Sequence, residues 1–130
     1  MGETREESAR VELAIDTQVA AGIRDFGGLE LLEQLVTTLR ICGSELVGQI
    51  GHGVSSRDFD EVQRAAHTLR GSAGTVGAIQ LQRLAARVEM LAREARLDLL
   101  DLLLPDLREH LADAAENLER FCLRSAAQSH

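Results

Sequence analysis

The chain has 130 residues, a formal net charge of -7 and a hydrophobic share of 45%, with three Phe and no Trp or Tyr. This length suits one domain whose core needs neither disulfides nor metal. A core of Leu, Val, Ile and Ala favours helices over strands. The acidic balance argues against a nucleic-acid partner, because binding to a phosphate backbone depends on clustered cations.

The two ends and the two cysteines carry no targeting or redox signal. Residues 1–13 are polar and acidic and predict a flexible lead-in, and residues 126–130 predict a disordered tail. No signal peptide is recognisable and no apolar run approaches the ~18 residues of a membrane span, so we expect a cytoplasmic protein without membrane insertion. Cys42 and Cys122 fall at apolar helical positions and predict buried free thiols. Between the two ends we expect one folded domain, over residues 14–125.

The first half of that domain predicts two helices. Asp16 is a suitable cap for a short helix through about residue 24, and Gly27-Gly28 then breaks the chain. A second helix is predicted from about residue 29 to about residue 50, with leucines at alternating three- and four-residue steps. The run Gly51-His52-Gly53 is the predicted end of this helix.

Three further helices are predicted in the second half. Asp58 followed by Glu61 resembles a capping box and starts a helix that ends near Gly77. A fourth helix is predicted over about 78–95, and a fifth carries a leucine-rich pattern in which Pro105 marks either a start or a kink. Four long amphipathic segments with short connections predict an all-α fold, an antiparallel four-helix bundle with a short additional N-terminal helix.

The third helix has one apolar stripe and one polar face. The apolar stripe contains Phe59, Val62, Ala66, Leu69, Ala73 and Val76. Residues three and four apart are neighbours on a helix, so a second set shares the solvent side. This set contains Asp60, Gln63, Arg64, His67, Arg70, Gly71 and Gly74. His67 therefore stands on a convex surface and not in a pocket.

The surroundings of His67 suit a histidine that carries phosphate. A solvent-facing imidazole has a free ring nitrogen for attack, and Arg70 can donate a charge-assisted hydrogen bond to phosphoryl oxygens. Gly71 places no side chain beside the ring, which would let a partner surface approach closely. Paired carboxylates, metal-ligand spacing, a nucleotide-binding glycine loop and a Ser/His/Asp arrangement are all missing from the sequence. We therefore expect a phosphate carrier without kinase activity of its own. The other histidines, His52, His110 and His130, are expected to be surface residues.

The segment around His67 resembles the central motif of the histidine-containing phosphotransfer (HPt) domains of multistep two-component phosphorelays. The matching residues are Ala66-His67-Thr68-Leu69-Arg70-Gly71-Ser72-Ala73, followed by Gly77-Ala78, Leu81, Leu84 and Glu89. The resemblance covers about residues 14–123. It implies that His67 takes a phosphoryl group from the aspartate of one receiver domain and passes it to another. It also implies that Mg²⁺ belongs to the receiver, with no cofactor bound by this chain.

The resemblance assigns supporting roles as well. Arg70 replaces the usual lysine of the family and keeps its charge. Glu89 lies where family members often place a polar residue that hydrogen-bonds the second nitrogen of the histidine, and Ser72 is a supporting residue and not a nucleophile. The implied partners are response-regulator receiver domains and a hybrid sensor histidine kinase, and a monomer is expected. Gln63, Arg64 and Gly74 are the predicted docking residues around His67.

Two alternatives share this fold. One is a bundle that docks a receiver domain or another regulator without accepting phosphate, although such a domain would not need the nucleophile. The other is the phosphate-accepting domain of a chemotaxis-type kinase, whose histidine motif is similar. That domain receives phosphate from a kinase domain in its own protein, and no such domain is present in this sequence.

Overall fold

The computed structural model describes residues 14–128, which fold as an all-α bundle of four helices. The helices are α1 (Thr17–Ser56), α2 (Phe59–Thr75), α3 (Ile79–Arg93) and α4 (Leu97–Gln128). The helix α1 packs on α2 and α4, and α3 also packs on α2 and α4, so the four helices close a ring around one core. The predicted fold class is confirmed. None of the helices in this part of the chain is long and apolar enough to span a membrane.

The predicted short N-terminal helix is the first segment of α1. Its N-cap is Asp16, whose carboxylate accepts a hydrogen bond from the Gln18 amide at 3.0 Å. The backbone of Gly28 leaves the helical region, with φ of 84° and ψ of 167°, and separates this segment from the rest of α1. The Arg24 side chain donates to Ser125 Oγ at 3.0 Å and lies over the Phe121 ring. The segment therefore covers the C-terminal end of α4.

Each change of direction uses the same C-terminal motif, in which a left-handed residue ends the helix. The left-handed residues are Arg57, Gly77 and Ala95, with φ of 57°, 75° and 54°. In each case two amides past the helix end bond back to carbonyls of its last turn, which is the Schellman pattern. These compact reversals make successive helices antiparallel. A side chain at Gly77 would meet the Val19 side chain at 2.9 Å, so this turn also packs on α1.

The predicted end of the second helix at Gly51-His52-Gly53 is wrong, because α1 continues to Ser56. Gly53 is buried, and a Cβ there would lie 2.6 Å from Val62 Cγ2 of α2. The glycine therefore permits close packing of α1 on α2. The helix ends instead at Arg57, a residue type without a strong sequence signal for the left-handed conformation.

Three further expectations need correction: a helix start at Pro105, a disordered tail and a buried Cys42. The last helix begins at Leu97, well before Pro105, and continues to Gln128, so residues 126–128 of the predicted tail are helical. Asp101 and Pro105 are both exposed, so water can bond the Asp101 carbonyl that the proline leaves without an amide partner.

Cys122 is buried as predicted, whereas Cys42 is exposed. The predicted lead-in, residues 1–13, lies outside the described residues.

The core consists of aliphatic side chains from all four helices, as the composition predicts. The large side chains with the least exposure are Ile15, Leu32, Ile50, Val62, Leu69, Val76, Leu81, Val88, Leu100, Leu107 and Leu118. Ala66, Ala73 and Ala85 are fully buried where α2 meets α3. These small residues let the two helices approach closely, which places the outer face of α2 beside α3.

Candidate functional site

The helix α2 holds His67 on its outer face because the opposite face is buried. Asp58 caps the helix, and its side chain accepts from the Glu61 amide at 3.1 Å, so this half of the predicted capping box is confirmed. Val62, Ala66 and Leu69 of the predicted stripe have no exposed surface. The His67 side chain is 63% exposed. Rigid packing on one side thus presents the imidazole to solvent on the other.

A carboxylate from the neighbouring helix contacts the ring. Glu89 of α3 is only 7% exposed, and its Oε1 lies 3.0 Å from His67 Nδ1. The pattern of α3 places Glu89 beside buried Val88 and Ala85, so its side chain points toward α2 and not toward solvent. Glu89 is therefore not a solvated surface residue. The hydrogen bond anticipated from the family resemblance is present.

Two polar groups approach the same ring nitrogen, and only one can be its hydrogen-bond partner. Arg70 Nη2 lies 3.0 Å from His67 Nδ1, the same distance as Glu89 Oε1. An arginine only donates and a carboxylate only accepts, so Nδ1 cannot serve both at once. We assign the proton to Nδ1, which then donates to Glu89, because a bond to a charged acceptor is the stronger one. In the neutral ring this leaves the lone pair on Nε2.

Two arginines balance the charge of Glu89. Arg70 Nε lies 3.5 Å from Glu89 Oε2, and Arg93 Nη2 lies 3.9 Å from Glu89 Oε1. Although the buried Oε2 has no hydrogen bond within the described chain, its nearest cation is Arg70. A buried carboxylate without such partners would be strongly destabilising. Sequence reasoning missed Arg93, although its position four residues after Glu89 on one helix was a usable signal.

The glycines near His67 differ in what surrounds them. A Cβ at Gly71 would have no atom within 4 Å, so no contact inside the protein requires a glycine there. A Cβ at Gly74 would meet Gln82 Nε2 of α3 at 2.7 Å. Gly74 therefore faces the α2–α3 contact and not open solvent, which corrects its predicted place on the polar face. Only Gly71 leaves an empty surface beside the imidazole.

Three further predicted site residues, Gln63, Arg64 and Ser72, lie near His67 on α2. Arg64 is exposed and Gln63 is partly exposed, one helical turn before His67. Ser72 is half-buried in a shallow groove between α1 and α2, where Cys42 and Val76 also lie. The imidazole itself stands on a convex surface, and Arg64 and Thr68 beside it line an open cavity of about 360 Å³ between α1 and α2.

The other histidines are not part of this cluster. His52 Nδ1 lies 3.2 Å from Glu61 Oε1 at the exposed end of α1, and His110 Nδ1 lies 2.7 Å from the Asp106 carbonyl in α4. His130 lies outside the described residues. Across residues 14–128 no three His, Cys, Asp or Glu side chains are placed to hold a metal ion together. His67 is the histidine of the described chain that has both a carboxylate and arginines within contact distance.

Comparison with known proteins gives one family and several related folds. The family model described as "Hpt domain" matches residues 29–119. Comparison with curated proteins gives no significant sequence match. Among solved structures, the histidine-containing phosphotransfer protein B (HptB) of Pseudomonas aeruginosa has a TM-score of 0.78 at 19% identity, over 85% of this chain and 96% of that one.

Two more solved structures have the same fold. The histidine-containing phosphotransfer domain of the anaerobic sensor kinase ArcB of Escherichia coli has a TM-score of 0.80 at 19% identity, covering 95% of this chain and 98% of that domain. A putative histidine-containing phosphotransfer protein from rice has a TM-score of 0.76 at 16% identity, covering 95% and 97%. These likenesses extend over nearly the whole length of the three proteins.

Proposed function

Since the chain belongs to the Hpt domain family and has a histidine phosphotransfer role in phosphorelays, we propose that its phosphoacceptor is His67 and its attacking atom is Nε2. The observation that carries the proposal is the contact of 3.0 Å between His67 Nδ1 and Glu89 Oε1, on a ring whose side chain is 63% exposed. One ring nitrogen is engaged by the protein, and the ring remains open to a partner.

The transfer step follows from this tautomer. The Nε2 lone pair attacks the phosphorus of an aspartyl phosphate on a receiver domain, the N–P bond forms, and the P–O bond to the aspartate breaks. The electron pair of the broken bond leaves with the aspartate as a carboxylate. The ring becomes a phosphorylated imidazolium that keeps its proton on Nδ1, where the Glu89 carboxylate stabilises the positive charge. The reverse step delivers the phosphoryl group to a second receiver.

Arg70 supplies charge on the protein side of the reaction. Its guanidinium lies within hydrogen-bond range of the ring, so a small rotation brings a donor to the phosphoryl oxygens. Mg²⁺ and the remaining charge stabilisation come from the receiver domain, because phosphoryl transfer depends on metal and cations around the moving group. Gly71 lets the receiver surface reach the ring, and Gln63, Arg64 and Ser72 line the contact.

The partners in this proposal are response-regulator receiver domains and the receiver of a hybrid sensor histidine kinase. HPt domains work with receiver domains and histidine kinases in phosphorelays. We propose that the chain acts as a monomer in the cytoplasm, where kinases that use ATP charge the donor receiver. No cofactor bound by this chain takes part in the reaction.

The test uses the protein and its His67→Ala variant with Mg²⁺ and a panel of receiver domains phosphorylated with ³²P. We expect label on the parent chain, stable to alkali and lost in acid, and none on the variant. His52→Ala serves as the matched control, since its ring also contacts a carboxylate on an exposed helix end. Label on His67→Ala would contradict the assignment. A receiver that binds the parent without transferring phosphate would instead indicate a docking module.

A further inference from the structure

The buried carboxylate of Glu89 has two arginines beside it, and the proposed transfer step uses only one of them. Glu89 Oε2 lies 3.5 Å from Arg70 Nε. Glu89 Oε1, which contacts His67 Nδ1 at 3.0 Å, also lies 3.9 Å from Arg93 Nη2. The Glu89 side chain is 9% exposed, whereas those of Arg70 and Arg93 are 40% and 64% exposed. Both cations therefore reach one buried charge from the solvent side.

The Arg70 guanidinium is held at Glu89 by charge attraction and not by a hydrogen bond. Its Nε is 3.5 Å from Glu89 Oε2, and this oxygen has no hydrogen bond within the part of the chain that the structure describes. Its Nη2 lies 3.0 Å from His67 Nδ1. With the proton on Nδ1, two donors face each other there and neither accepts. No hydrogen bond in the site thus prevents Arg70 from turning toward a stronger acceptor.

A phosphoryl group on His67 is such an acceptor. Its oxygens are negatively charged, and hydrogen bonds from a guanidinium to phosphate oxygens are charge-assisted and short. When Arg70 turns toward them, Glu89 Oε2 loses its nearest cation. A buried carboxylate that loses its partner is strongly destabilised. The movement of Arg70 therefore opposes transfer unless another cation balances Glu89.

Arg93 is placed to be that cation. It follows Glu89 by four residues on α3, so the two side chains share one face of one helix. Their separation is set by α3 and does not depend on the movement of Arg70, which belongs to α2. Within residues 14–128, Glu89 is the acidic residue with which Arg93 pairs. Arg93 can therefore stay at the carboxylate throughout the transfer step.

We propose that Arg93 is a positioning residue for phosphoryl transfer, which balances the charge of Glu89 while Arg70 turns to the phosphoryl group. This inference rests on the proposed function. Arg93 takes no part in the bonds that form and break, and it acts through Glu89 on the availability of Arg70. Without Arg93, the carboxylate retains Arg70, and the step that needs Arg70 becomes slower.

The test compares Arg93→Gln with Arg87→Gln as the matched control. Both remove one positive charge from an exposed side chain of α3, but Arg87 forms no ion pair or hydrogen bond within the described residues. Arg87 precedes Glu89 by two residues and so lies about 200° around the helix from it. Single-turnover transfer of ³²P from a phosphorylated receiver is measured over a range of receiver concentrations, which separates the maximal rate from the half-saturating concentration. Thermal unfolding is measured for each variant.

We expect Arg93→Gln to lower the maximal rate about three- to fivefold, because its charge pair with Glu89 is partly exposed to solvent. The half-saturating receiver concentration should not change. Arg93→Lys should transfer at the parental rate because it keeps the charge, and so should Arg87→Gln. In the Glu89→Gln background, Arg93→Gln should have no further effect, because the carboxylate that Arg93 balances is absent.

Four results would overturn the inference. The first is a maximal rate for Arg93→Gln equal to that of Arg87→Gln. The second is a change confined to the half-saturating concentration, which would mean that Arg93 contacts the receiver. The third is the same slowing in the Glu89→Gln background, and the fourth is transfer by Arg93→Lys as slow as by Arg93→Gln. If Arg93→Gln does not fold, slow transfer by Arg93→Lys still overturns the inference.

Failure of the proposed function gives a different result. Label that is absent from the parent chain, or present on His67→Ala, would refute that function. Thermal unfolding needs no transfer, and Arg93→Gln should lower the melting temperature more in the Arg70→Ala background than in the parent, because Glu89 then has no arginine. Equal shifts in the two backgrounds would show that the arginines do not share Glu89, and would overturn the inference independently of transfer.

Discussion

Replacing Glu89 isolates what the buried carboxylate does for His67. In the proposed mechanism Glu89 keeps the proton on Nδ1 and stabilises the imidazolium formed by transfer. A hydrogen bond to a charged group contributes about 1.5–3 kcal/mol, equivalent to roughly 10- to 100-fold in rate if it is fully expressed in the transition state. The His67 side chain is 63% exposed, so water competes for the ring and the lower end of that range applies. Glu89→Ala should therefore slow phosphoryl acceptance about tenfold.

The assay is single-turnover transfer of ³²P from a phosphorylated receiver at saturating concentration. Glu89→Gln separates the hydrogen bond from the charge, since an amide oxygen still accepts from Nδ1 but does not neutralise the imidazolium. We expect a rate between those of Glu89→Ala and the parent. Glu94→Ala is the matched control, because it removes an exposed acidic residue just after α3. An acceptance rate for Glu89→Ala equal to that of the parent and of the control would refute the role given to this residue.

Four substitutions and one labelling experiment test the open surface, the turns and the thiols. Gly71→Ala should raise the free energy of unfolding by about 0.5–1 kcal/mol in a denaturant titration, because a Cβ there meets no other atom. Gly71→Gln should slow phosphoryl transfer, and transfer at the parental rate would contradict close approach of the receiver to this part of α2. Ala95→Gly should stabilise the protein by about 1 kcal/mol, since Ala95 has φ of 54°, and lower stability would rule out strain at that turn. Gly77→Ala should destabilise by about 2–4 kcal/mol, because it adds a clash with α1 to a left-handed backbone; a melting temperature equal to the parent's would contradict this. A thiol reagent at pH 8 should label exposed Cys42 rapidly and buried Cys122 only on unfolding. Burial, and to a smaller extent Glu33 and Glu119, raises the pKa of the Cys122 thiol. Equal labelling rates for the two cysteines would contradict this difference.

The periodic part of the fold could be predicted from the sequence, because burial follows helical spacing closely. The stripe of α2, the cap at Asp58 and the break at Gly28 all rest on local chemistry that one segment contains in full. The end of α1 could not be predicted in this way. Gly53 resembles a helix stop, but its function is to make room for Val62 of another helix, and that contact is absent from the local sequence.

The same distinction applies to the site. His67, Arg70 and Gly71 lie within one turn of one helix, so their proximity follows from spacing alone. The burial of Glu89 and the approach of Arg93 depend on how α3 packs against α2. Helical spacing alone predicts that Gly74 lies on the polar face, because it does not reveal that Gln82 of α3 covers this glycine. Contacts between helices were therefore the part that the sequence pattern left open.

In the proposed mechanism, the convex position of His67 determines the order in which the two receiver domains bind. A single imidazole on the exposed face of α2 offers one binding surface. A receiver domain that contacts the ring covers this surface completely. Donor and acceptor receivers must therefore bind one after the other, and the first has to leave before the second can contact the ring. This mechanism predicts ping-pong kinetics, in which an excess of either receiver slows transfer because it occupies the surface around His67.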